Sequence, residues 1–301
     1  MTHRPAGALR ERIATQLDRP LDPAIRDFAC ALAAEAQASA VLFYGSNLRT
    51  GSLEGVLDFY VLTPGPPRDR IWPRVSYHER PHGDVDLRAK VATMSLETFA
   101  KAAAGELTDT TIWARFVQPS ALAWESGKES RALVVDAIAV AAQTAARLAV
   151  ALGPVEGSPD AYWRALFRST YEAEFRVEKA GRENDILAVN AEHFEGLLPL
   201  ALDAAGVAYD QKGRALAPEM HAADRTRVLK WWRRRKRMGK PLNLLRLLKA
   251  SITFDGATRY AAWKIERHTG MPVEVTPFRE HFPILAAPGV LFALWRHRRK
   301  R

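Results

Sequence analysis

The stretch that decides the fold is AVLFYGSNLRTGSLEGVLDFYVL, at residues 40–62. Two apolar runs, 40–44 and 56–62, flank a polar connection that contains glycine, and this pattern predicts two buried strands. The first run ends at Gly45-Ser46, and the second carries Asp58. Because an unpaired buried carboxylate is costly, Asp58 needs a partner. A metal ion is one candidate; an ion pair with an arginine, or a turn-capping role beside an ordinary Gly-Ser turn, is the alternative.

The residue types around this connection suit phosphate chemistry. Gly45 permits the close approach of backbone to a phosphate, and Ser46 offers a hydroxyl at the start of a short helix. Asp58 on the next strand can hold Mg²⁺, which bridges phosphate oxygens. This order resembles polymerase-beta-like nucleotidyltransferases. We therefore expect an α+β fold with a mixed sheet and a Mg²⁺ site at Asp58.

A second carboxylate must be sought elsewhere, because Tyr60 stands where many members of that superfamily carry a second Asp. The run GDVDLRAKV at 83–91 predicts another strand, on which Asp86, Arg88 and Lys90 share one face. Asp86 is then a candidate second metal ligand or base. Arg88 and Lys90 are candidates for holding phosphate charge, with Lys90 counted among the catalytic residues. The alternative is a solvated strand face of mixed charge.

Three sequence pieces resemble one family, the soluble, mitochondrial-type phosphatidate cytidylyltransferases. The first is the Tyr-Gly-Ser and Asp-Phe pair of elements at 44–46 and 58–59, in a family that also lacks the second Asp. The second runs from 171 to 185 and resembles a Gly-Asp-x-Arg-Met and Glu-x-x-Asn segment. The third, at 247–265, resembles a Lys-Gly-x-x-Thr-Ala and Tyr-x-x-x-Lys helix. Two positions depart from the family's pattern: this chain has Glu174 where the family has Asp, and Ala250 where the family has Gly.

This resemblance implies transfer of a cytidylyl group from CTP to a lipid phosphate, with Mg²⁺ as cofactor. It also implies that Arg176 and Lys249 lie near nucleotide or lipid phosphate. It implies a nucleotidyltransferase domain at 1–153, a winged-helix-like helical domain at 154–224 and a basic, membrane-facing segment at 225–301. Without the resemblance, Arg176 is an ordinary surface or ion-paired residue.

The charge distribution favours an anionic partner. The chain has 44 Lys and Arg against 34 Asp and Glu, a formal net charge of +10. Ten basic residues and no acidic one lie within 227–249, interleaved with Trp231, Trp232 and several leucines. Indoles beside basic side chains predict an anionic membrane surface as partner and a cytoplasmic protein bound peripherally to it. Nucleic acid is not the expected partner, although an RNA-binding patch and a plain solvated face are alternatives.

Two rival functions therefore remain at this stage. One is a nucleotidyltransferase that acts on RNA or a small molecule, and the other is a non-catalytic membrane-surface module.

The single cysteine, Cys30, excludes an internal disulfide, and its apolar neighbours predict a buried position. The apolar stretch 134–152 carries charged residues and is predicted as a buried helix rather than a membrane span.

Overall fold

The computed structural model describes residues 4–67, 73–83, 85–109, 111–173, 182–253, 257–269, 272–281, 286 and 288–289. In this part of the chain the protein is α+β, with a five-stranded mixed sheet and a helical region. The sheet strands are β1 (Ala40–Tyr44), β2 (Leu57–Thr63), β3 (Arg74–His82), β4 (Val85–Ser95) and β5 (Ser120–Glu125). Their spatial order is β3-β4-β2-β1-β5, in which β2 and β4 are parallel and the other neighbours antiparallel.

Helices cover the sheet and form the rest of the described protein. They are α1 (Arg4–Leu17), α2 (Pro23–Ala36), α3 (Ser46–Thr50), α4 (Leu96–Ala103), α5 (Thr111–Phe116), α6 (Lys128–Leu152), α7 (Pro159–Ala173), α8 (Arg182–Val189), α9 (Ala191–Phe194), α10 (Leu197–Ala205), α11 (Ala222–Thr253), α12 (Ala257–Thr269) and α13 (Pro277–His281). A hairpin of β6 (Tyr209–Lys212) and β7 (Ala215–Pro218) lies between α10 and α11.

Both faces of the sheet are buried. On one face α2 packs Phe28 against Phe59, with ring centroids 5.7 Å apart, and Phe59 also contacts Phe43. On the other face Tyr60 and Leu62 join a cluster that includes α1, α5 and α6. The alternation along β2 therefore separates two cores, because a sheet with helices on both sides needs apolar residues on both.

Three sequence-based expectations fail locally. The pattern of residues 95–152 predicts helix throughout, but 120–125 form β5, because pairing with β1 outweighs the helix propensity of Ala and Leu. The sequence of 206–224 predicts a loop-rich insert, and the structure places the hairpin β6–β7 in part of it. Cys30 is exposed rather than buried, because the buried stripe of α2 runs through Ile25, Phe28 and Leu32 and leaves position 30 outside.

Helix α6 is long and apolar enough to span a membrane by length and composition. In the folded protein, 67% of its most apolar window is buried. It packs against α1, α4, α5, α7, α10 and α11, as expected for a core helix.

The long C-terminal helix α11 shares the main core. One buried cluster contains side chains from Leu9 on α1 to Trp232 on α11, and so includes residues of all three predicted segments. Trp232 is 3% exposed, and its Nε1 donates a 2.8 Å hydrogen bond to Oγ of Ser169. The indole also meets Trp113 edge-on. Helix α11 is therefore anchored by an aromatic residue that sits within the interior.

Replacement of this anchor tests the shared core. We expect Trp232→Ala to lower the free energy of unfolding by about 3–5 kcal/mol, because a large buried side chain leaves a cavity. The neighbouring exposed Arg233→Ala should change it by less than about 0.5 kcal/mol. Urea unfolding followed by circular dichroism measures both. Equal effects in the two variants would contradict burial of Trp232.

Candidate functional site

A cleft opens where β1 ends and β2 begins, and its volume is about 350 Å³. It receives residues from the turn after β1, from β2, from the segment after α5, and from α7 and α8. The lining residues are Tyr44, Gly45, Ser46, Arg49, Asp58, Arg115, Gln118, Pro119, Tyr171, Asp185, Ile186 and Val189. Gly45, Ser46 and Asp58, which the sequence analysis selected together, thus line one cavity.

Gly45 and Asp58 are forced into close approach by the pairing of their strands. Tyr44 is paired with Asp58 in the antiparallel register of β1 and β2, so the next residue turns over the carboxylate. Gly45 has φ 93° and ψ −162°, a region that glycine alone occupies readily. A methyl group on its Cα would lie 2.9 Å from Oδ2 of Asp58. Glycine is required here for both backbone and space.

The turn after Gly45 is held by Asn47. Its amide nitrogen donates hydrogen bonds of 2.8 Å to the carbonyl oxygens of Ser52 and Glu54, and the side chain is buried. Its carbonyl oxygen accepts a 3.3 Å hydrogen bond from the Ser46 hydroxyl. Asn47 therefore ties α3 to the loop that leads into β2. The exposed Ser46 remains at the mouth of the cleft.

Arg115 on α5 places a guanidinium in the cleft beside two tyrosines. Its Nη1 donates to the hydroxyl of Tyr44 at 3.1 Å and to that of Tyr60 at 3.5 Å. The guanidinium carbon also lies 5.1 Å from the centroid of the Tyr44 ring. Burial raises the pKa of Tyr44 far above its usual value, so its hydroxyl stays protonated. Tyr60, at the position of the missing second Asp, thus helps to hold an arginine.

The Asp58 carboxylate is largely removed from water. Burial raises its pKa above the ordinary value of 3.8, while the positive charges of Lys90 and Arg115 oppose this shift. Lys90 is the register partner of Asp58 on the parallel strand β4. Lys90 is exposed and is not among the residues that line the cleft, so its predicted role in catalysis stays a prediction. Arg115, 57 positions further along the chain than Asp58, supplies a second positive charge that sequence reasoning missed.

A second carboxylate, on α8, also lines the cleft. Asp185 on α8 is exposed and lines the cavity with Ile186, Val189 and Tyr171. Its segment, 181–185, is one that carries the family resemblance, but Asp185 was not selected as a site residue. No local signal marks it, because Asp185 reaches the cleft only through the packing of α8 on α7.

Asp86 and Arg88 are not among the residues that line the cleft. Asp86 is exposed and lies four residues before Lys90 on β4, about 13 Å along the strand. Nε of Arg88 lies 3.4 Å from Oε1 of Glu79, and its guanidinium lies over the ring of Trp263. Strand alternation still puts both residues on the same face of the sheet as Lys90. Their predicted roles in metal and phosphate binding stay predictions.

Two further predicted residues fall outside what the structure describes. Arg176 lies outside the described residues altogether. Lys249 belongs to α11, but its side chain is not among those described.

The predicted interfacial tryptophans point into the protein instead. Trp232 is buried, and Nε1 of Trp231 donates a 3.0 Å hydrogen bond to the carbonyl of Gly105. Arg235 is buried as well and donates to the carbonyls of Gly105 and Leu107. Burial lowers the pKa of Arg235 to about 10, and the nearby charge of Arg234 contributes. The prediction that Trp232 meets a membrane is wrong, because its indole is buried in the interior, whereas Trp231 is half-buried.

The remaining surface of α11 is basic, then apolar. Its exposed basic side chains are Arg227, Lys230, Arg233, Arg234, Lys236, Arg237 and Lys240. Met238, Leu244 and Leu245 are exposed by 41%, 58% and 44%. Lys236 pairs with Glu172, the neighbour of the cleft residue Tyr171. The exposed face of α11 therefore runs beside the helix that forms one wall of the cleft.

Comparisons with known proteins add no family. A scan against protein-family models finds no match, and a search of curated proteins finds no significant relative. Within the described residues, no group of three or more His, Cys, Asp or Glu side chains is arranged to hold a metal ion. Any metal at the cleft would therefore rely on one or two carboxylates and on oxygen atoms of a ligand.

The Gly45 turn makes a first prediction about this site. We expect Gly45→Ala to lower the free energy of unfolding by about 1–3 kcal/mol, because alanine is strained at this backbone geometry and its methyl group crowds Asp58. Gly51→Ala is the control, since Gly51 has φ 68° and open space around it, and it should cost about 1 kcal/mol. Thermal unfolding of both variants measures the difference, and equal costs would contradict the crowding.

The Asp58 carboxylate makes a second prediction, through pH. Because its pKa is raised on folding, ionising Asp58 opposes folding: its contribution to stability is full below pH 3.8 and is lost as pH rises through the folded-state pKa. We expect Asp58→Asn to gain stability relative to the unchanged protein as pH rises through that interval. Denaturant unfolding at several pH values measures the difference. A difference that does not vary with pH would contradict burial of an ionisable Asp58.

Proposed function

We propose that the protein transfers a cytidylyl group from CTP to a lipid phosphate, in the cleft between β1, β2 and α8. The observation that carries the proposal is the meeting of Gly45, Ser46 and Asp58 in one cavity. These residues were selected from a strand–Gly-Ser–helix–strand-Asp pattern that resembles polymerase-beta-like nucleotidyltransferases. The mixed sheet is compatible with that fold, and the helical region after it would be the winged-helix-like domain.

The charges of the cleft suit a nucleoside triphosphate. Arg49 and Arg115 line it, and Lys90 acts electrostatically on Asp58 from the neighbouring strand. Guanidinium groups bind phosphate oxygens with directed, charge-assisted hydrogen bonds. Ser46 at the mouth offers a hydroxyl donor. A volume of about 350 Å³ lies within the usual range for small-molecule sites.

The donor set fits Mg²⁺ held jointly by the protein and the substrate. Asp58 and Asp185 both line the cleft, and Mg²⁺ is commonly bound through one or two carboxylates plus phosphate oxygens. A buried carboxylate whose pKa is raised is one that a cation would stabilise in its charged form. When bound, Mg²⁺ would neutralise charge on the triphosphate.

The reaction needs little from the protein beyond position and charge. A phosphate oxygen of the lipid attacks the α-phosphorus of CTP, the bond to the β-phosphate oxygen breaks, and pyrophosphate leaves. The attacking phosphate is already an anion near neutral pH, so no strong base is required. Arg115 and Arg49 orient the phosphates, and Gly45 lets them approach the backbone closely.

The exposed face of α11 supports a lipid rather than a soluble acceptor. Seven basic side chains and three exposed apolar ones lie along it, beside a wall of the cleft. Basic side chains near an anionic bilayer contribute about 1 kcal/mol each. Apolar residues such as Leu244 and Leu245 add burial in the interface. In this proposal the protein acts at the cytoplasmic face of a membrane, to which it binds peripherally.

Pyrophosphate release tests the proposal. The assay combines the protein, Mg²⁺ and each of four nucleoside triphosphates with vesicles that contain phosphatidate, and RNA replaces the vesicles in a parallel arm. We expect release with CTP and vesicles, lowered at least about 100-fold in Asp58→Asn. Release with RNA alone, or undiminished release in the variant, would overturn the proposal.

The same assay identifies the second carboxylate. We expect Asp185→Asn to lower the rate by about 10- to 100-fold, because it removes a ligand or near neighbour of the cation. Asp86→Asn is the matched variant and should change the rate by less than about threefold, since a distant exposed charge is screened. The reverse order would assign the role to Asp86, as the sequence predicted.

A further inference from the structure

A second pocket lies between α1 and α9, with a volume of about 490 Å³. It is separate from the cleft and shares none of its lining residues. The lining residues are Ala8, Glu11, Arg12, Thr15 and Gln16 of α1, Arg19 just beyond its end, and Glu192 and His193 of α9. On α1, positions 8, 11, 12, 15 and 16 recur at helical spacing, so one face of this helix forms a wall of the pocket.

Four polar atoms of the residues that line this pocket are buried without a hydrogen-bond partner among the residues that the structure describes. They are Nε of Arg12, Oε1 of Gln16, Nε of Arg19 and Nδ1 of His193. Buried polar groups in folded proteins are normally satisfied, and a cluster of unsatisfied ones in a pocket needs an explanation. A ligand with matching groups would supply it.

His193 determines what such a ligand must offer. Its side chain is 8% exposed, and Nε2 lies 2.8 Å from the carbonyl oxygen of Val117. Since a carbonyl only accepts, Nε2 carries the hydrogen, and Nδ1 has a bare lone pair. Burial lowers the pKa of His193 to about 4, and the charges of Arg12 and Arg19 act in the same direction. At neutral pH the ring is therefore a fixed hydrogen-bond acceptor.

The two arginines determine the charge of the ligand. Nη2 of Arg12 donates to the carbonyl oxygens of His193 and Glu195, at 2.9 and 2.5 Å, which fixes its guanidinium against α9. Arg19, two residues beyond the end of α1, is half-buried. Glu11 and Glu192 are exposed at the rim, where water screens them. The interior of the pocket thus favours an anion.

We propose that this pocket binds inorganic phosphate, which keeps a P–OH group at neutral pH, whereas a phosphate monoester is mainly deprotonated there. Such a group has oxygens that accept from the two guanidinium Nε atoms. Its P–OH group donates to Nδ1 of His193 or to Oε1 of Gln16. Sulfate, which has no proton near neutral pH, offers acceptors alone and leaves the histidine unsatisfied. Arg12, Gln16 and Arg19 are long, half-buried side chains that can shift slightly to close on the ligand.

The pocket is connected to the cleft through His193. The carbonyl that this histidine contacts belongs to Val117, and the next two residues, Gln118 and Pro119, line the cleft. On the other side, α9 follows directly after α8, which carries Asp185. Phosphate bound in the second pocket would fix the distance between the segment at 117–119 and α8. Because both line the cleft, phosphate would influence the geometry of the cleft without entering it.

Calorimetric titration with inorganic phosphate and with sulfate, at equal ionic strength and neutral pH, tests the proposal. We expect saturable phosphate binding and at least about tenfold weaker sulfate binding, because only phosphate can donate to His193. Arg19→Gln should weaken phosphate binding at least about tenfold. Arg26→Gln removes the same charge from α2 and should leave binding unchanged.

The contrary outcomes are equally distinct. Binding that Arg49→Gln weakens and Arg19→Gln does not would place the phosphate in the cleft, and equal affinity for sulfate would remove the role of His193. Absence of saturable binding also overturns the proposal. If Arg19→Gln fails to fold, the ¹⁵N shift of His193 Nδ1 in the unchanged protein decides, since it must move when phosphate is added. No nucleotide or lipid is used, so this test is independent of the proposed transferase activity.

Discussion

A carboxylate that is largely removed from water requires compensating charge, and around Asp58 this requirement organises both sides of the cleft. Lys90 supplies one positive charge from the adjacent strand, and Arg115 supplies another from α5. Arg115 in turn is held by the hydroxyls of Tyr44 and Tyr60. The sheet register, the aromatic pair and the arginine therefore form one interdependent unit, with the close turn at Gly45 above it.

How far the sequence predicts this unit depends on how local each part is. Gly45, Ser46 and Asp58 lie within 14 residues, and strand patterning alone placed them at one end of two neighbouring strands. Arg115 and Asp185 reach the same cavity from helices much later in the chain. No periodicity connects such positions, because their meeting depends on how the helices pack on the sheet. For Asp86 the local pattern was insufficient in another way. Strand alternation assigns it to the same face of the sheet as Lys90, but alternation does not show how far along the strand Asp86 lies from the cleft.

The C-terminal helix shows a different limit of sequence reasoning. A count of basic and aromatic residues predicted that Trp231, Trp232 and Arg235 would face a membrane together with their neighbours. Aromatic and basic side chains are equally able to anchor a helix to an interior, by packing and by donating to free carbonyls. Here the carbonyls of Gly105 and Leu107 accept from Arg235, and the ring of Trp231 lies against its guanidinium. Composition thus predicted the basic character of α11 correctly but assigned the wrong side chains to its outer face.

The position of β3 at the edge of the sheet has a consequence for solubility. An outermost strand presents unpaired backbone groups that could recruit a strand from another molecule and begin aggregation. In β3 the sequence places Pro81, which has no amide hydrogen to donate, next to the charged Glu79 and Arg80. Helices α11 and α12 also lie against this strand. Helices α11 and α12 therefore cover the edge of the sheet. Their loss would expose an edge strand that can pair with other molecules, and would also remove a basic surface.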